Sequence, residues 1–534
     1  MISPVLLYEY FDRSATNNPD KEALIFQEQR YTYSDIYKYV NILADKLIYM
    51  GLQRQDRVLI YMDNAPELVI SFYAAMKAGG IFVIINSAVQ LQKFSYIIND
   101  SKPAVIIADI ARKDTVNKAI LENNHSCNII WTNTEEALKE NDANIHQYSW
   151  NNIFTFSVLD IDWYEAQNIK KNRCLDVDLA GLVYTSGSTG EPKGVMESHR
   201  SIISAARSIT QYLENTPDDI ILNTLPLSFD YGLYQVIMAF MFGGTIVLEK
   251  SFIFLSRVLN LIVREKVTGF PIVPTIVAMI FKTINLNSFD LSSLRYLTNT
   301  GAAFPAEHIR KLRNSIPHVK IYSMFGLTEC KRISYLPPHK VDEKTDSVGK
   351  AMPNCEVFII DENGGQVQPG EVGELIVRGA NVMQGYWNAP AQTAKSFKPA
   401  LGFKENLLFT GDYFKQDDEG FLYFLGRKDD MIKSRGERIS AKEVEGIINQ
   451  IDGISECAVI GVDDEILGQA IKAYVVSVPG IEKTQKDIRE YCAKNLEPYS
   501  VPKYVEFMEE LPKTAHGKID KKILKQNSIR DTAK

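Results

Sequence analysis

Twelve consecutive residues, Tyr184-Thr185-Ser186-Gly187-Ser188-Thr189-Gly190-Glu191-Pro192-Lys193-Gly194-Val195, combine small residues, hydroxyls and one lysine. They follow the apolar run Leu179-Ala180-Gly181-Leu182-Val183, which reads as a strand. Glycines let backbone N–H groups curl around an anion; hydroxyls add donors, and the lysine adds a cation. The chemistry this predicts is the cradling of a polyphosphate. It is not a Walker loop, because Pro192 stands where a glycine should precede the lysine and Gly194 follows it instead of Ser or Thr. A solvated Gly/Ser turn is the plainer alternative, and the ordered run of residue types speaks against it.

Four further runs follow in order: Ser323-Met324-Phe325-Gly326-Leu327-Thr328-Glu329, Phe409-Thr410-Gly411-Asp412, Gly426-Arg427-Lys428-Asp429-Asp430-Met431-Ile432-Lys433-Ser434-Arg435-Gly436-Glu437-Arg438-Ile439, and Pro512-Lys513-Thr514-Ala515-His516-Gly517-Lys518-Ile519-Asp520. With the first loop they resemble the successive motifs of the adenylate-forming superfamily: acyl-CoA synthetases, amino-acid adenylation domains and luciferases. That resemblance implies a reaction in two halves. A carboxylate attacks the α-phosphate of MgATP to give an acyl-adenylate and pyrophosphate, and a thiol then attacks the activated carbonyl. ATP and Mg²⁺ are the implied cofactors, with no bound organic cofactor.

The resemblance also implies the roles. Thr185, Ser186, Gly187, Ser188, Thr189, Gly190 and Lys193 hold the β- and γ-phosphates; Gly301, Ala302, Ser323, Phe325 and Gly326 join the nucleotide site. Thr328 contacts phosphate, and Glu329 is the magnesium ligand, since magnesium takes a few carboxylate oxygens shared with phosphates. Asp412 accepts from the ribose hydroxyls with Arg427 assisting, Lys518 is the catalytic cation, and Asp429 is the hinge. A lysine presents a compact charge on a flexible stem, suited to bridging a carboxylate and a phosphate.

The acid is addressed by Leu225-Pro226-Leu227-Ser228-Phe229-Asp230-Tyr231-Gly232-Leu233-Tyr234. Many acyl-CoA synthetases carry histidine where this chain has Phe229. Phe229-Asp230 is instead similar to the Phe-Asp pair of amino-acid adenylation domains, whose aspartate neutralises the substrate ammonium. The alternative is that Asp230 caps a following helix, a position that favours Asp. Tyr231, Tyr234, Pro271, Thr298, Thr300, Met324, Arg332 and Ile333 are placed with Asp230 around a compact pocket. The run resembles that of free-standing enzymes that load L-proline onto a peptidyl carrier protein for toxin or pyrrole biosynthesis. Arg332 fits less easily: either it points away or it signals an acidic substrate. Ser434 to Ser440 is closer to CoA ligases than to multidomain peptide synthetases, so the thiol acceptor is either CoA or the phosphopantetheine of a carrier protein acting in trans.

These residues need a scaffold. At 534 residues, with 45% hydrophobic and 23% charged residues, the chain exceeds one hydrophobic core. Short apolar strands alternate with helical patterns from residue 1 to about 170, and again from Leu179 to about Ser334, as in α/β units with parallel sheets. Glu135 to Asp178 reads as a polar connection, residues 345 to 425 as hairpin-rich β structure, and the last hundred as a small α+β unit. The expected fold class is multidomain α/β. It comprises a large N-terminal domain, residues 1–428, with two α/β subdomains and a β-barrel-like part, hinged to a mobile C-terminal domain, residues 429–534. No carrier or condensation domain is recognisable, so a free-standing activator is expected.

Net charge of −7 gives no case for nucleic acid or an anionic membrane. The start of the chain lacks a signal-peptide pattern, and Val236 to Leu248, broken by Gly243-Gly244, is too short to span a bilayer. The six cysteines form no Cys-x-x-Cys pair, and a cytoplasmic home is the simplest expectation. A non-catalytic nucleotide-binding protein is the rival of another class, and the complete set Lys193, Glu329, Asp412 and Lys518 argues against it.

Overall fold

The computed structural model describes residues 4–134, 145–155, 174–186, 192–301, 304–428, 431–434, 437–464, 467–478, 480–481, 483–513 and 519–532. Packing divides the chain into two compact units: residues 1–357 with 377–398, and residues 358–376 with 399–534.

Two sheets organise the first unit among the described residues. One has the order Ile145–Ser149, Cys127–Thr132, Val105–Asp109, Arg57–Tyr61, Ile81–Ile85, Leu179–Ser186, Pro192–Ser198. Every pair in it is parallel except the last, a hairpin. The central strands are buried along their length, as parallel strands covered on both faces must be, and read as near-continuous Val/Ile/Leu runs. Ile145–Ser149 lies inside the stretch read as a connection. Its sequence, Ile-His-Gln-Tyr-Ser, lacks a strong apolar alternation because it pairs on one side only, at the sheet edge.

The other sheet runs Lys350–Ala351, Ser334–Tyr335, Lys320–Phe325, Tyr296–Asn299, Gly269–Ile272, Ile220–Asn223, Thr245–Leu248, Glu22–Phe26, Gln29–Thr32. Its six middle strands are parallel and its edges antiparallel. Val236 to Leu248 is the end of helix Asp230–Phe242, a left-handed Gly243 at φ 79°, and strand Thr245–Leu248, as the residue pattern indicates. The glycine stops the helix because only a residue without Cβ takes that conformation freely.

The second unit holds most of the sheet of Cys355–Ile360, Gly373–Gly379, Asn406–Gln416 and Phe397–Pro399, with Leu422–Arg427 paired to Asn406–Gln416. It also holds a sheet built on the long antiparallel pair Ile454–Asp464 and Gly468–Ser477. Alternate residues of that pair face opposite ways. Cys457 and Val459 join a core with Val444, Ile488 and Cys492, whereas Ala458, Ile460 and Tyr474 pack with Leu511 and Leu524. Helix Ala441–Ile448 is capped by Ser440, whose side chain accepts from the Glu443 N–H. All six cysteines are buried free thiols. No helix among the described residues is long and apolar enough to cross a membrane.

His199, the first residue of helix His199–Tyr212, is fully buried; its Nδ1 accepts from the Leu7 N–H at 3.1 Å. Burial pulls its pKa from 6.5 down to about 4. Between those two values the unfolded chain binds a proton that the folded chain does not, so stability falls as pH drops from 6.5 to about 4. The contribution is on the order of 3 kcal/mol. His199→Asn, which keeps an acceptor but cannot titrate, is expected to flatten that part of the stability-versus-pH curve, measured by denaturant unfolding at several pH values. An unchanged slope would show that other groups govern it.

Candidate active site

The run expected to bind phosphate is flanked by the antiparallel strands Leu179–Ser186 and Pro192–Ser198. Thr185 pairs with Lys193 and Ser186 with Pro192, which places Thr185 and Lys193 side by side at the end of the pair nearest the run. Gly187, Ser188, Thr189 and Gly190, and likewise Ala302, Asp429 and Lys518, lie outside the described residues.

The segment Gln384–Trp387 runs along the outer strand of this hairpin. Met196 N–H donates to Gly385 O, Trp387 N–H to Gly194 O, and Val195 bridges Tyr386. Gly194 is a glycine for want of room: a Cβ there would come within 3.2 Å of both the Trp387 and the Tyr184 side chains. Asp100 anchors the arrangement. It accepts from Tyr184 Oη at 2.6 Å through Oδ2, and from Trp387 Nε1 at 3.1 Å through its backbone oxygen.

Tyr386 then reaches the second motif. Its hydroxyl donates to Glu329 Oε1 at 2.8 Å, and its ring centroid lies 5.5 Å from the Lys193 ammonium. Lys193 and Glu329, 136 positions apart in the sequence, therefore share one tyrosine. No group of three or more metal-ligating His, Cys, Asp or Glu occurs among the described residues. A single partly buried carboxylate suits magnesium, which fills its shell with phosphate and water oxygens rather than an all-protein cage.

The acid-pocket residues converge for a topological reason. Ile220–Asn223, Gly269–Ile272, Tyr296–Asn299 and Lys320–Phe325 are adjacent parallel strands, and such sheets bind ligands beyond the carboxyl ends of their strands. Asp230, Pro271, Thr298, Thr300, Ser323, Met324 and Phe325 all sit at or just past those ends. Gly301, at φ 80°, faces the Phe229 ring, where a Cβ would come to 3.2 Å. Helix Asp230–Phe242 lies tight on the preceding loop, since a Cβ on Gly232 would be 2.4 Å from Pro226 O.

Tyr231 Oη donates to Thr298 O at 2.7 Å and lies the same distance from Thr298 Oγ1. Met324 Sδ accepts from Tyr212 Oη at 2.9 Å, and Ile333 is fully buried. Asp230 is buried as the first residue of its helix, but the N-cap is Phe229, which corrects the capping alternative. Its carboxylate stands where the helix dipole favours negative charge. Arg332 does not point away. It is 5% exposed, with its guanidinium 4.7 Å from the centroid of the Tyr231 ring. Burial pushes the phenols of Tyr231 and Tyr234 upward, with the Arg332 charge opposing. Tyr234 Oη, Thr300 Oγ1 and Arg332 Nε are buried without a hydrogen-bond partner among the described residues. Buried polar atoms of this kind mark places where a ligand supplies the missing bonds.

In the second unit, Asp412 is 1% exposed and stands opposite Arg427 in the antiparallel pair, with the Arg427 Nε 3.2 Å from Asp412 Oδ1. Glu374 braces both neighbours. It accepts from the Gly411 N–H at 3.1 Å and pairs with Lys428 Nζ at 2.8 Å. The flanks of the C-terminal lysine run are joined by a bridge between Lys513 and Ile519.

Sequence reasoning missed Tyr386, Asp100, Glu374, Lys331 and Glu197. Their signals are contacts between distant segments, which one sequence does not carry. Gly326 shows how tight the Thr328–Glu329 turn is: a Cβ would sit 1.9 Å from Lys331 O. Gly326→Ala is expected to displace the turn and weaken nucleotide use by about 10²-fold, since misplacement by about 1 Å costs that much. MgATP titration and a melting curve would test it; wild-type behaviour in both would show that the turn yields.

Residues 11–387 match the family model of the AMP-binding enzyme, and residues 443–518 that of the AMP-binding enzyme C-terminal domain. The long-chain-fatty-acid–CoA ligase of Bacillus subtilis (strain 168) is 32% identical over 530 residues, covering 95% of this chain and 91% of that protein. Tyrocidine synthase 1 of Brevibacillus parabrevis is 27% identical over 527 residues; the match covers 98% of this chain but only 45% of that protein. Among solved structures, the anthranilate CoA ligase AuaEII in complex with anthranoyl-AMP matches with a TM-score of 0.85 and 26% identity, covering 100% of this chain and 99% of that one. The chain belongs to the AMP-binding enzyme family and is an adenylate-forming, AMP-forming acid–thiol ligase.

Proposed function

We propose that the enzyme activates an α-amino acid, L-proline first among the candidates, as its aminoacyl-adenylate and passes it to the phosphopantetheine thiol of a separate carrier protein. The observation that supports this most is the buried Asp230 at the head of its helix, beside Tyr231 and Tyr234. A carboxylate shielded from water there offers an ammonium group a counter-charge that a simple carboxylic acid has no use for.

In this reading Thr185, Ser186, Ser188, Thr189 and Lys193 hold the β- and γ-phosphates, and Thr328 assists. Glu329, oriented by Tyr386, would hold magnesium, which when bound screens the phosphate charge. A substrate carboxylate oxygen bonds to the α-phosphorus, and pyrophosphate leaves with the electron pair. Lys518 lies between the two anions and stabilises charge as they meet. Asp412 accepts from the ribose hydroxyls with Arg427 beside it. The thiol then attacks the acyl carbon and AMP departs. Residues 1–428 act as the binding domain and 429–534 as the mobile domain turning at Asp429. A cytoplasmic home is part of the proposal; the six free thiols suit a reducing compartment.

A second reading is an acyl-CoA synthetase for a small or medium carboxylic acid. It is favoured by the near-full-length match to a CoA ligase, against less than half of a peptide synthetase. Pyrophosphate exchange with a panel of amino acids and short acyl acids separates the two, as does AMP release that requires added CoA.

Asp230→Ala is expected to abolish exchange driven by amino acids while leaving ATP binding nearly intact; undiminished activation of the preferred amino acid would refute the assignment. Lys518→Ala is expected to slow adenylate formation by about 10²–10³, yet to spare thiol transfer from supplied acyl-adenylate. Single-turnover assays of each half would decide, and equal losses in both would assign the lysine to both steps.

A further inference from the structure

Two charged residues that belong to none of the recognised motifs are almost wholly buried and bonded to each other. Lys331 is 3% exposed, Glu197 is 1% exposed, and Lys331 Nζ donates to Glu197 Oε1. Each is close in sequence to a residue assigned to the nucleotide. Glu197 lies four positions beyond Lys193 on the extended strand Pro192–Ser198, and Lys331 two positions beyond Glu329.

We infer that Lys331 and Glu197 are positioning residues: their buried pair locks the turn bearing Glu329 to the strand bearing Lys193. It thereby fixes the magnesium-binding carboxylate relative to the phosphate-binding ammonium. This rests on the roles given to Lys193 and Glu329 in the proposed function.

The contacts close a ring. Strand Pro192–Ser198 meets Tyr386 through the Val195 bridge, and Tyr386 holds Glu329 through its hydroxyl. Glu329 is joined to Lys331 through the chain, and Lys331 returns to the strand at Glu197. A carboxylate tied at only one point of such a ring could swing about it; tied on both sides it cannot.

The turn itself is built to deliver the lysine. Lys331 takes a left-handed backbone, φ 64°, unusual for a residue with a side chain, and its N–H donates to Leu327 O at 2.6 Å. Asn381 Nδ2 donates to Cys330 O at 2.8 Å and to Arg332 O at 3.1 Å, so both carbonyls flanking Lys331 are held. Arg332 lies over Tyr231 and donates to the Lys331 carbonyl at 3.0 Å, while Lys331 Nζ is 5.6 Å from the centroid of the Tyr234 ring on the same helix.

Stability alone does not account for the pair. Replacing a buried ion pair by apolar residues of similar volume is often neutral or stabilising, because the desolvation of two charges consumes the gain from their attraction. A pair retained in so dry a place is better explained by the register it imposes.

That difference supplies the test. The doubly apolar variant Lys331→Met/Glu197→Leu, in the full-length chain, is expected to melt at or above the wild-type temperature. Its MgATP affinity, measured by calorimetry, is expected to fall by about 10–100-fold, the usual loss when an outer partner of a metal ligand is removed. Affinity for ATP in excess EDTA should be unchanged. A double variant that keeps the full magnesium-dependent gain would overturn the inference. Should the double variant not fold, Glu197→Asp gives the second reading. It preserves the charge and shortens the reach, so a reduced magnesium-dependent gain is expected at an unchanged melting temperature; a wild-type gain would overturn the inference equally. A wild-type chain that binds MgATP but exchanges pyrophosphate with no acid would sink the proposed reaction and leave this inference standing.

Discussion

Two anions must meet for an acid to be adenylated, and they repel each other. In the proposed roles no single element overcomes this, because the hairpin proposed to hold the phosphates belongs to one sheet of the first unit and the strands proposed to carry the acid pocket to the other. Binding energy spent on either anion alone does nothing to bring them together. What matters is the joint between the two sheets, and that joint is short: the Thr328–Glu329 turn at the end of strand Lys320–Phe325, held to the hairpin strand by Tyr386 and by the Lys331–Glu197 pair. In the proposed roles, the residues that would share out the negative charge are positioned by contacts that would not touch it.

The same turn reaches the acid side through its next residue. Lys331 bonds Glu197 of the hairpin strand and lies 5.6 Å from the centroid of the Tyr234 ring, and Arg332 lies over Tyr231, so consecutive side chains both reach helix Asp230–Phe242. Burial, with the Arg332 charge beside it, pulls the Lys331 ammonium down from the ordinary lysine range, while the Glu197 carboxylate accepts its hydrogen bond. Among the described residues Arg332 forms no ion pair; it lies over an aromatic face, and cation–π contact of this kind is stronger away from water.

Much of this was legible in the sequence. The strand leading into Thr185, the helix–glycine–strand passage through Gly243 and the two α/β halves follow from residue type and periodicity, because each depends on neighbours in the chain. Asp230 was found for its chemistry, although as the first helical residue rather than a cap: a favoured cap residue next to a helix start does not fix which of two adjacent positions it takes. The polar stretch before Leu179 concealed the edge strand Ile145–Ser149, whose residues need satisfy only one partner. The braces were invisible for a different reason. Glu197 and Lys331 are separated by 134 positions, and Asn388 reaches Asp100 across 288. Nothing in one sequence tells a buried lysine from the many solvated ones until the fold brings its partner to it.

The second unit solves a related problem with a different device. Asp412 and Arg427 face each other across an antiparallel pair, so their separation is set by the ladder itself. Gly411, left-handed at φ 72°, directs its N–H to Glu374, and the same glutamate holds Lys428. Lys428 is the residue immediately before Asp429, the proposed pivot. Torsion at Asp429 would thus begin just past an anchored side chain, and the carboxylate assigned to the ribose would be insulated from it. A hinge placed one residue earlier would pull on Glu374, and through it on the turn that presents Asp412. In that proposal, the anchor at Lys428 would let the pair assigned to the ribose and the joint at Asp429 be adjacent in the chain without disturbing each other.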